Sequence, residues 1–349
     1  MFFASDNTGP AHPAILQALV AANQGYMASY GADPIMDRVT RKLREVFEAP
    51  EAAVYLVATG TAANSLLLAS MTRPWDTIFC TSMAHINEDE CNAPEFFTGG
   101  AKLTLVPDTD GRMQADALKA SILKENNRGV HGPQRGPVSL TQVTEKGTVY
   151  SLEELQMLTG IAHGFGLKVH MDGARFANAL AVLGCTPAEM TWKAGIDAVS
   201  FGGTKNGLLG VEGCIIFDPA IAWEFELRRK RAGHLFSKHR YLSAQMEAYL
   251  QDDLWLEMAR SANAACARLV AGIKASGVGE LAYPPQANMA FARFPRHVHQ
   301  RLFAAGAVYS MYDDAVEDGP PDELLLARLV CDWSMSPGNI DRFLQLLAG

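Results

Sequence analysis

From residue 52 to residue 217 the chain alternates short apolar, β-rich runs with segments of helical character, the runs falling at 52–58, 77–81, 102–106, 138–143, 167–171, 197–201 and 213–217. Several of these are apolar at nearly every position instead of every second one, the pattern of strands covered on both faces by helices. Seven such runs predict an α/β unit around a seven-stranded, mostly parallel sheet. Among the intervening segments, residues 151–165 begin at Ser151 with Glu154 three positions later, which suits the start of a crossover helix. After about residue 222 the pattern turns helical. Residues 249–276 carry apolar positions at helical spacing with an Ala-rich face, and this segment is expected to bridge two domains. Strands at 287–294 and 325–333 and a terminal helix at 339–347 complete a smaller α/β C-terminal domain. The expected division is 14–250 for the large domain and 251–349, with 1–13, for the small one. No repeat of solenoid period is present.

Composition narrows the function classes. The chain has 349 residues, 48% hydrophobic and 19% charged, with a formal net charge of −8. That balance argues against a nucleic-acid partner, which clustered Lys and Arg would have to grip. Arg228-Arg229-Lys230-Arg231 is too local to reverse it. The six cysteines are dispersed without a Cys-x-x-Cys pair, so no metal site is expected from them. No basic-then-apolar leader opens the sequence and no apolar stretch approaches the roughly 20 residues of a membrane helix. A cytoplasmic location is the expectation.

In an open α/β sheet ligands bind beyond the carboxyl ends of the strands, and three segments there carry chemistry. Gly60-Thr61-Ala62-Ala63-Asn64 follows the first strand and opens an apolar helix. Its free N–H groups and the Thr61 hydroxyl suit a phosphate, although an ordinary strand-to-helix turn with a threonine cap reads the same way. His170-Met171-Asp172-Gly173-Ala174-Arg175 ends a strand in a carboxylate. Asp172 could hold a protonated heteroaromatic nitrogen, while Asp-Gly after a strand is also a common plain turn. In Phe201-Gly202-Gly203-Thr204-Lys205-Asn206-Gly207 a lysine sits among small residues, where desolvation would free its amine as a nucleophile. Most lysines are solvated surface charges, so Lys205 gains weight only from the other two segments. In the order phosphate turn, aspartate, lysine, all three fall at one edge of one sheet.

With these motifs the chain resembles the threonine aldolase family, of the bacterial low-specificity L-threonine aldolase type, within the fold-type-I pyridoxal-phosphate enzymes. The resemblance runs from Ser5-Asp6-Asn7 to the strand around Arg328, and Met171–Arg175 with Gly202–Gly207 is its most specific part. It implies pyridoxal 5'-phosphate linked to Lys205, with Asp172 at the pyridine nitrogen, Gly60 and Thr61 at the phosphate and His85 stacked on the ring. It places Arg175 near the phenolic oxygen, Ser5 and Arg328 at the substrate carboxylate, and Asp89 and His131 near the substrate hydroxyl. Tyr30-Gly31-Ala32-Asp33-Pro34 is similar to the family's Tyr-Gly-Asp-Asp-Pro segment, with Ala32 in place of an acidic residue. Tyr30 and Arg175 are expected among the substrate-binding residues, Tyr30 and the Arg228–Arg240 stretch match segments at subunit boundaries, and Lys238 or Arg240 of a partner is expected to reach the phosphate. The implied assembly is a homotetramer whose dimers share active sites. The implied reaction cleaves threonine-like β-hydroxy-α-amino acids to glycine and an aldehyde, with His85 or a water as base. Two other readings remain open. One is a β-eliminating lyase or aminotransferase on the same fold. The other is a cofactor-dependent regulator, against which stands the lack of any helix-turn-helix segment or basic domain.

Overall fold

The seven apolar runs assemble into one sheet in the computed structural model, which describes residues 1–125, 127–312 and 316–349. The strands are β1 (Ala53–Val57), β2 (Asp76–Thr81), β3 (Lys102–Val106), β4 (Gln134–Thr141), β5 (Val169–Gly173), β6 (Ala198–Phe201) and β7 (Glu212–Ile216). Their order is β1-β7-β6-β5-β4-β2-β3. Only β7 runs against its neighbours, and every other adjacent pair is parallel. Every residue of β2, β5, β6 and β7 is buried, which is why these runs lack alternation. This is the fold-type-I architecture that the resemblance implied.

Parallel registry brings the strand ends to one edge. Thr141 pairs with Asp172, and Asp172 with Ser200, so the turns after β4, β5 and β6 emerge side by side. The turn after β6 packs tightly there: a Cβ at Gly202 would come within 2.3 Å of the Ala174 carbonyl oxygen, so no larger residue fits. The crossover helix Leu152–Gly164 carries the expected capping box, with the Ser151 hydroxyl accepting from the Glu154 amide at 3.2 Å and Glu154 accepting from the Ser151 amide at 2.7 Å.

A second, antiparallel sheet of four strands, Glu280–Leu281, Met289–Pro295, Leu324–Val330 and Ser310–Met311, is built near the C-terminus. The chain's first residues join it. The Phe3 amide donates to the Val308 carbonyl at 2.7 Å, the Val330 amide donates to the Phe3 carbonyl at 2.8 Å, and Phe3 is wholly buried in the core around this sheet. The helix Leu254–Ser276 runs through both cores, with Trp255, Met258 and Ala259 in the larger and Cys266, Leu269 and Ile273 in the smaller. It begins later than its apolar spacing suggests, because Asp252 and Asp253 take left-handed φ angles of 50° and 56° and separate it from the preceding helix Arg240–Leu250. Among the described residues no helix is long and apolar enough to cross a membrane.

Candidate active site

Ser5, His85, Asp89, Arg175, Lys205 and Arg328 line one cavity of about 430 Å³ between the carboxyl edge of the large sheet and the small one. They come from the N-terminal segment, the turns after β2, β5 and β6, and the strand Leu324–Val330.

Lys205 sits in a single helical turn, Thr204–Asn206, that is pinned from both sides. The Asn206 side-chain amide donates to Tyr249 Oη at 2.7 Å and to the Trp255 carbonyl at 2.8 Å, and the Gly203 amide donates to Glu212 Oε2 at 2.7 Å. Burial pushes the Lys205 ammonium below the ordinary lysine value, and the Arg175 guanidinium pushes it the same way, against the pull of Asp6, Asp172 and Glu212. The amine is therefore readied as a nucleophile.

Asp172, buried at the end of β5, has a fixed orientation: Oδ1 accepts from the Ala174 amide at 2.9 Å and Oδ2 from Asn64 Nδ2 at 2.8 Å. Asn64 is itself oriented by Ser200, whose hydroxyl donates to Asn64 Oδ1 at 2.8 Å. Among the described residues no Lys, Arg or His forms an ion pair with this buried carboxylate, so it is free to take a cationic group from a ligand.

The same Asn64 amide group donates to Glu90 Oε1 at 2.9 Å, and His85 Nδ1 lies 2.8 Å from that oxygen. The bond to Glu90 raises the imidazole above the ordinary histidine value despite its partial burial. Burial raises Glu90 as well. The shared proton belongs on His85, because Glu90 Oε1 already accepts from Asn64 and Oε2 has no acceptor to which a carboxyl O–H could donate. Asp172, Asn64, Glu90 and His85 thus form one connected network under the cavity.

Arg175 and Asp6 form a two-bond ion pair at 2.7 and 2.9 Å, and Asn288 Nδ2 adds a third donor to Asp6 at 3.1 Å. Burial alone would raise the Asp6 carboxyl, but Arg175 and Lys205 hold it below the usual carboxylate value. This clamp draws the N-terminal segment over the site and brings Ser5 into the lining. Arg328 gives one long bond, 3.3 Å, to the Ala4 carbonyl, while its Nε is enclosed without a partner. A guanidinium so placed beside Ser5 suits a carboxylate ligand.

Helix Gly60–Met71 starts at the end of β1, as an anion site requires, but the cap is Thr59. Its hydroxyl accepts from the Ala62 amide at 3.2 Å, so the cap reading of the sequence holds one residue earlier than Thr61. The amides of Gly60 and Thr61 have no acceptor among the described residues and remain available to a phosphate. These residues fit pyridoxal phosphate: a buried amine, a buried unpaired carboxylate and a helix start at one sheet edge.

Two expected residues lie elsewhere in the chain. His131 is exposed in the turn Gly129–His131, which precedes β4 and so stands at the amino edge of the sheet, opposite the cavity. That corrects the expectation that it meets substrate within its own chain. Tyr30 is half exposed on an outer loop, its ring 4.8 Å from Lys230 Nζ. Lys238 lines a separate open groove with Leu209, Phe236 and Tyr241, and Arg240 donates to the Gly25 carbonyl at 3.0 Å. Among the described residues no cluster of three or more His, Cys, Asp or Glu could hold a metal ion.

A family model described as beta-eliminating lyase matches residues 3–294. The low specificity L-threonine aldolase of Pseudomonas aeruginosa is 40% identical over 345 residues, covering 99% of this chain and 95% of its own. The chain belongs to the threonine aldolase family. Another such relative, the low specificity L-threonine aldolase of a Pseudomonas species, is 38% identical over 339 residues, 97% of this chain and 94% of its own. The solved structure of Leishmania major threonine aldolase superposes with a TM-score of 0.92 at 28% identity, covering 99% of this chain and 98% of that one. The cofactor of this fold and family is pyridoxal 5'-phosphate, in agreement with the residues of the cavity.

The sequence reading of the site passed over Asp6, Asn64, Glu90, Glu145 and Glu212. Asn64 stood inside the quoted Gly60–Asn64 segment, and Asp6 beside Ser5. Their signal was present, but their partners are remote in sequence: Asn64 meets Asp172 across 108 residues and Asp6 meets Arg175 across 169.

Proposed function

We propose that the protein cleaves L-threonine, L-allo-threonine and related β-hydroxy-α-amino acids to glycine and an aldehyde. The observation that carries this is the joint placement of Lys205, Ser5 and Arg328 at one cavity, with Asp172, free of any ion pair among the described residues, in the network beneath it. Bound pyridoxal phosphate supplies the electron sink for a bond broken at the substrate's Cα. The chain supplies the rest. Lys205 presents an amine whose proton is easily lost, and Asp172, acceptor-only and rigid, stabilises a positive charge at the position opposite it. Arg328 and Ser5 hold the substrate carboxylate, which limits rotation and selects the bond presented for cleavage. His85, its Nδ1 held by Glu90 in a way that favours the charged imidazole, lines the cavity, and Arg175 adds a fixed positive charge.

The active assembly in this reading is a homotetramer of dimers in which Tyr30 of the partner subunit, and Lys238 or Arg240 of the partner subunit, approach the Gly60–Thr61 turn. Support comes from the exposed Tyr30, Leu209 and Phe236 side chains around the Lys238 groove. A fully active monomer in sedimentation at assay concentration would contradict it. The unpaired cysteines, four of them buried, suit a reducing, cytoplasmic compartment.

Product analysis tests the reaction. With L-threonine the purified holoenzyme releases acetaldehyde, read by coupling to alcohol dehydrogenase, and little 2-oxobutyrate, read by coupling to lactate dehydrogenase. Dominant keto acid would instead assign the β-elimination that the matching family model's description names.

A further inference from the structure

We propose that Glu145 is the catalytic base that takes the β-hydroxyl proton of the substrate. The inference rests on the aldolase reading and goes beyond it, because that reading leaves the acceptor of the hydroxyl proton unassigned.

Glu145 lines the same cavity as Lys205, His85 and Arg328. Its Oε1 accepts from the His85 amide at 3.0 Å, while Oε2 is closed off from solvent and has no hydrogen-bond partner. A carboxylate oxygen left in that condition is costly unless a ligand satisfies it. The side chain also stands on a rigid turn. The Gly147 amide donates to the Thr144 carbonyl at 2.9 Å, the Thr144 and Thr148 hydroxyls meet at 2.7 Å, and the Thr148 hydroxyl donates to the Asp110 carbonyl at 2.7 Å. Gly147 has φ of +79°, and a Cβ there would come within 2.8 Å of the Met289 carbonyl oxygen, so the turn has one arrangement. A group held in this way keeps its reach into a cavity without loss of precision.

The other groups at the cavity are poorly suited. Glu90 holds His85 Nδ1 and favours the charged form of the imidazole, which weakens His85 as a proton acceptor. Arg175 and Arg328 are cations without acceptor capacity. Glu88 and Asp89 are exposed at the rim. Glu145 is the carboxylate of the lining with an oxygen closed off from solvent, and its affinity for a proton matches the task. Burial raises the carboxyl to about 7, with Asp172 adding to the rise and the Glu145 backbone amide, the Thr141 hydroxyl and the His85 amide opposing it. The other charged or titratable groups facing it are Arg175, Cys80 and Tyr150.

In the step assigned here the substrate O–H bond breaks and its proton passes to Glu145. The oxygen's electron pair forms the aldehyde C=O, and the Cα–Cβ pair stays with the glycine fragment. One proton is later added to the glycine Cα and one leaves Glu145, so each turnover ends with the carboxylate restored and no net proton change.

The test compares the wild-type holoenzyme with Glu145→Gln and Glu145→Asp. Glu145→Gln keeps its cofactor absorbance and binds glycine, by spectral titration, within about twofold of wild type, yet loses roughly 10²- to 10⁴-fold in kcat on L-threonine, the usual range for removal of a general base. Its residual activity lacks the acid limb that the wild type shows near pH 7. Infrared difference spectra read the protonation directly: of the carboxyl intensity titrating near 7 in wild type, to which Glu212 also contributes, the part due to Glu145 is lost from Glu145→Gln, which subtraction of the two spectra isolates. Glu145→Asp retains intermediate activity with its acid limb displaced. The proposal is overturned if Glu145→Gln keeps kcat within about threefold, or if its glycine affinity falls in step with kcat, the mark of a purely structural role. Keto acid in place of acetaldehyde from the wild type would sink the aldolase reading itself, a separate outcome seen without any variant.

Discussion

Replacing Asp6 by Asn removes the acceptor that anchors the N-terminal segment over the cavity. Asp6 presents two oxygens to three donors, Arg175 Nε, Arg175 Nη2 and Asn288 Nδ2, and its side chain is 1% exposed against 12% for Arg175. An asparagine offers one acceptor oxygen and turns an N–H group toward a guanidinium, leaving that cation buried and unpaired. Breaking a buried pair from one side costs about 3–5 kcal/mol. An unfolding entropy of about 2.1 cal/mol/K per residue gives the 349-residue chain about 0.73 kcal/mol/K, so Tm should fall by roughly 4–7 °C if it melts as one unit. The pH dependence has a definite sign. The folded Asp6 carboxyl is held below its ordinary value of 3.8, so the pair's contribution is complete above that value and disappears as pH falls through the folded pKa. Scanning calorimetry of parent and Asp6→Asn at neutral and acid pH measures this, with kcat/KM recorded in parallel because Ser5 should be displaced with the segment. A variant melting within about 1 °C of its parent at neutral pH would refute the clamp as a stabilising element.

Lys205→Ala should abolish turnover and the borohydride-reducible link to the cofactor, and pyridoxal still attached to the variant after reduction would place the link on another residue. Asp172→Asn should keep the parent's circular dichroism, since the Asn64 and Ala174 bonds can be partly remade, while kcat collapses because a neutral amide cannot stabilise the opposing cation; an unchanged kcat removes Asp172 from the mechanism. Arg328→Lys keeps the charge but loses the fork. At about 1.5–3 kcal/mol for a charge-assisted bond, kcat/KM should drop roughly 10- to 150-fold, and a parental value would free Arg328 from the substrate carboxylate.

What could be read before folding was whatever depends on neighbours along the chain. The apolar runs announced a covered sheet because burial on both faces removes alternation, and Ser151 with Glu154 announced a helix start because both partners lie within one turn. Lys205 and Asp172 were legible through motifs on successive strand ends. The hydrogen bonds that orient them were not, since Asn64, Glu90 and Asp6 acquire meaning only when parallel registry brings distant turns together. Glu145 was hidden for a related reason: Thr144-Glu145-Lys146-Gly147 reads as a polar surface turn, and only the small sheet, arriving with Met289, encloses it. His131, expected near the substrate from the resemblance alone, stands in the turn before β4 and so at the opposite edge of the sheet.

The 23-residue helix Leu254–Ser276 extends about 35 Å and is gripped along its length by both cores, like a beam set into two walls. Its one glycine gives no slack, since a Cβ at Gly272 would collide with the Leu344 side chain at 2.1 Å. A clamshell swing of the small sheet would require this beam to bend or leave one of its walls. A helix shared in this way favours sliding of packed surfaces over a swing of one part against the other. On that footing the exposed side chains of the lining, Asp89 and Tyr312, are what an entering ligand meets first, and its bulk is accommodated by their rotation more than by parting of the two sheets.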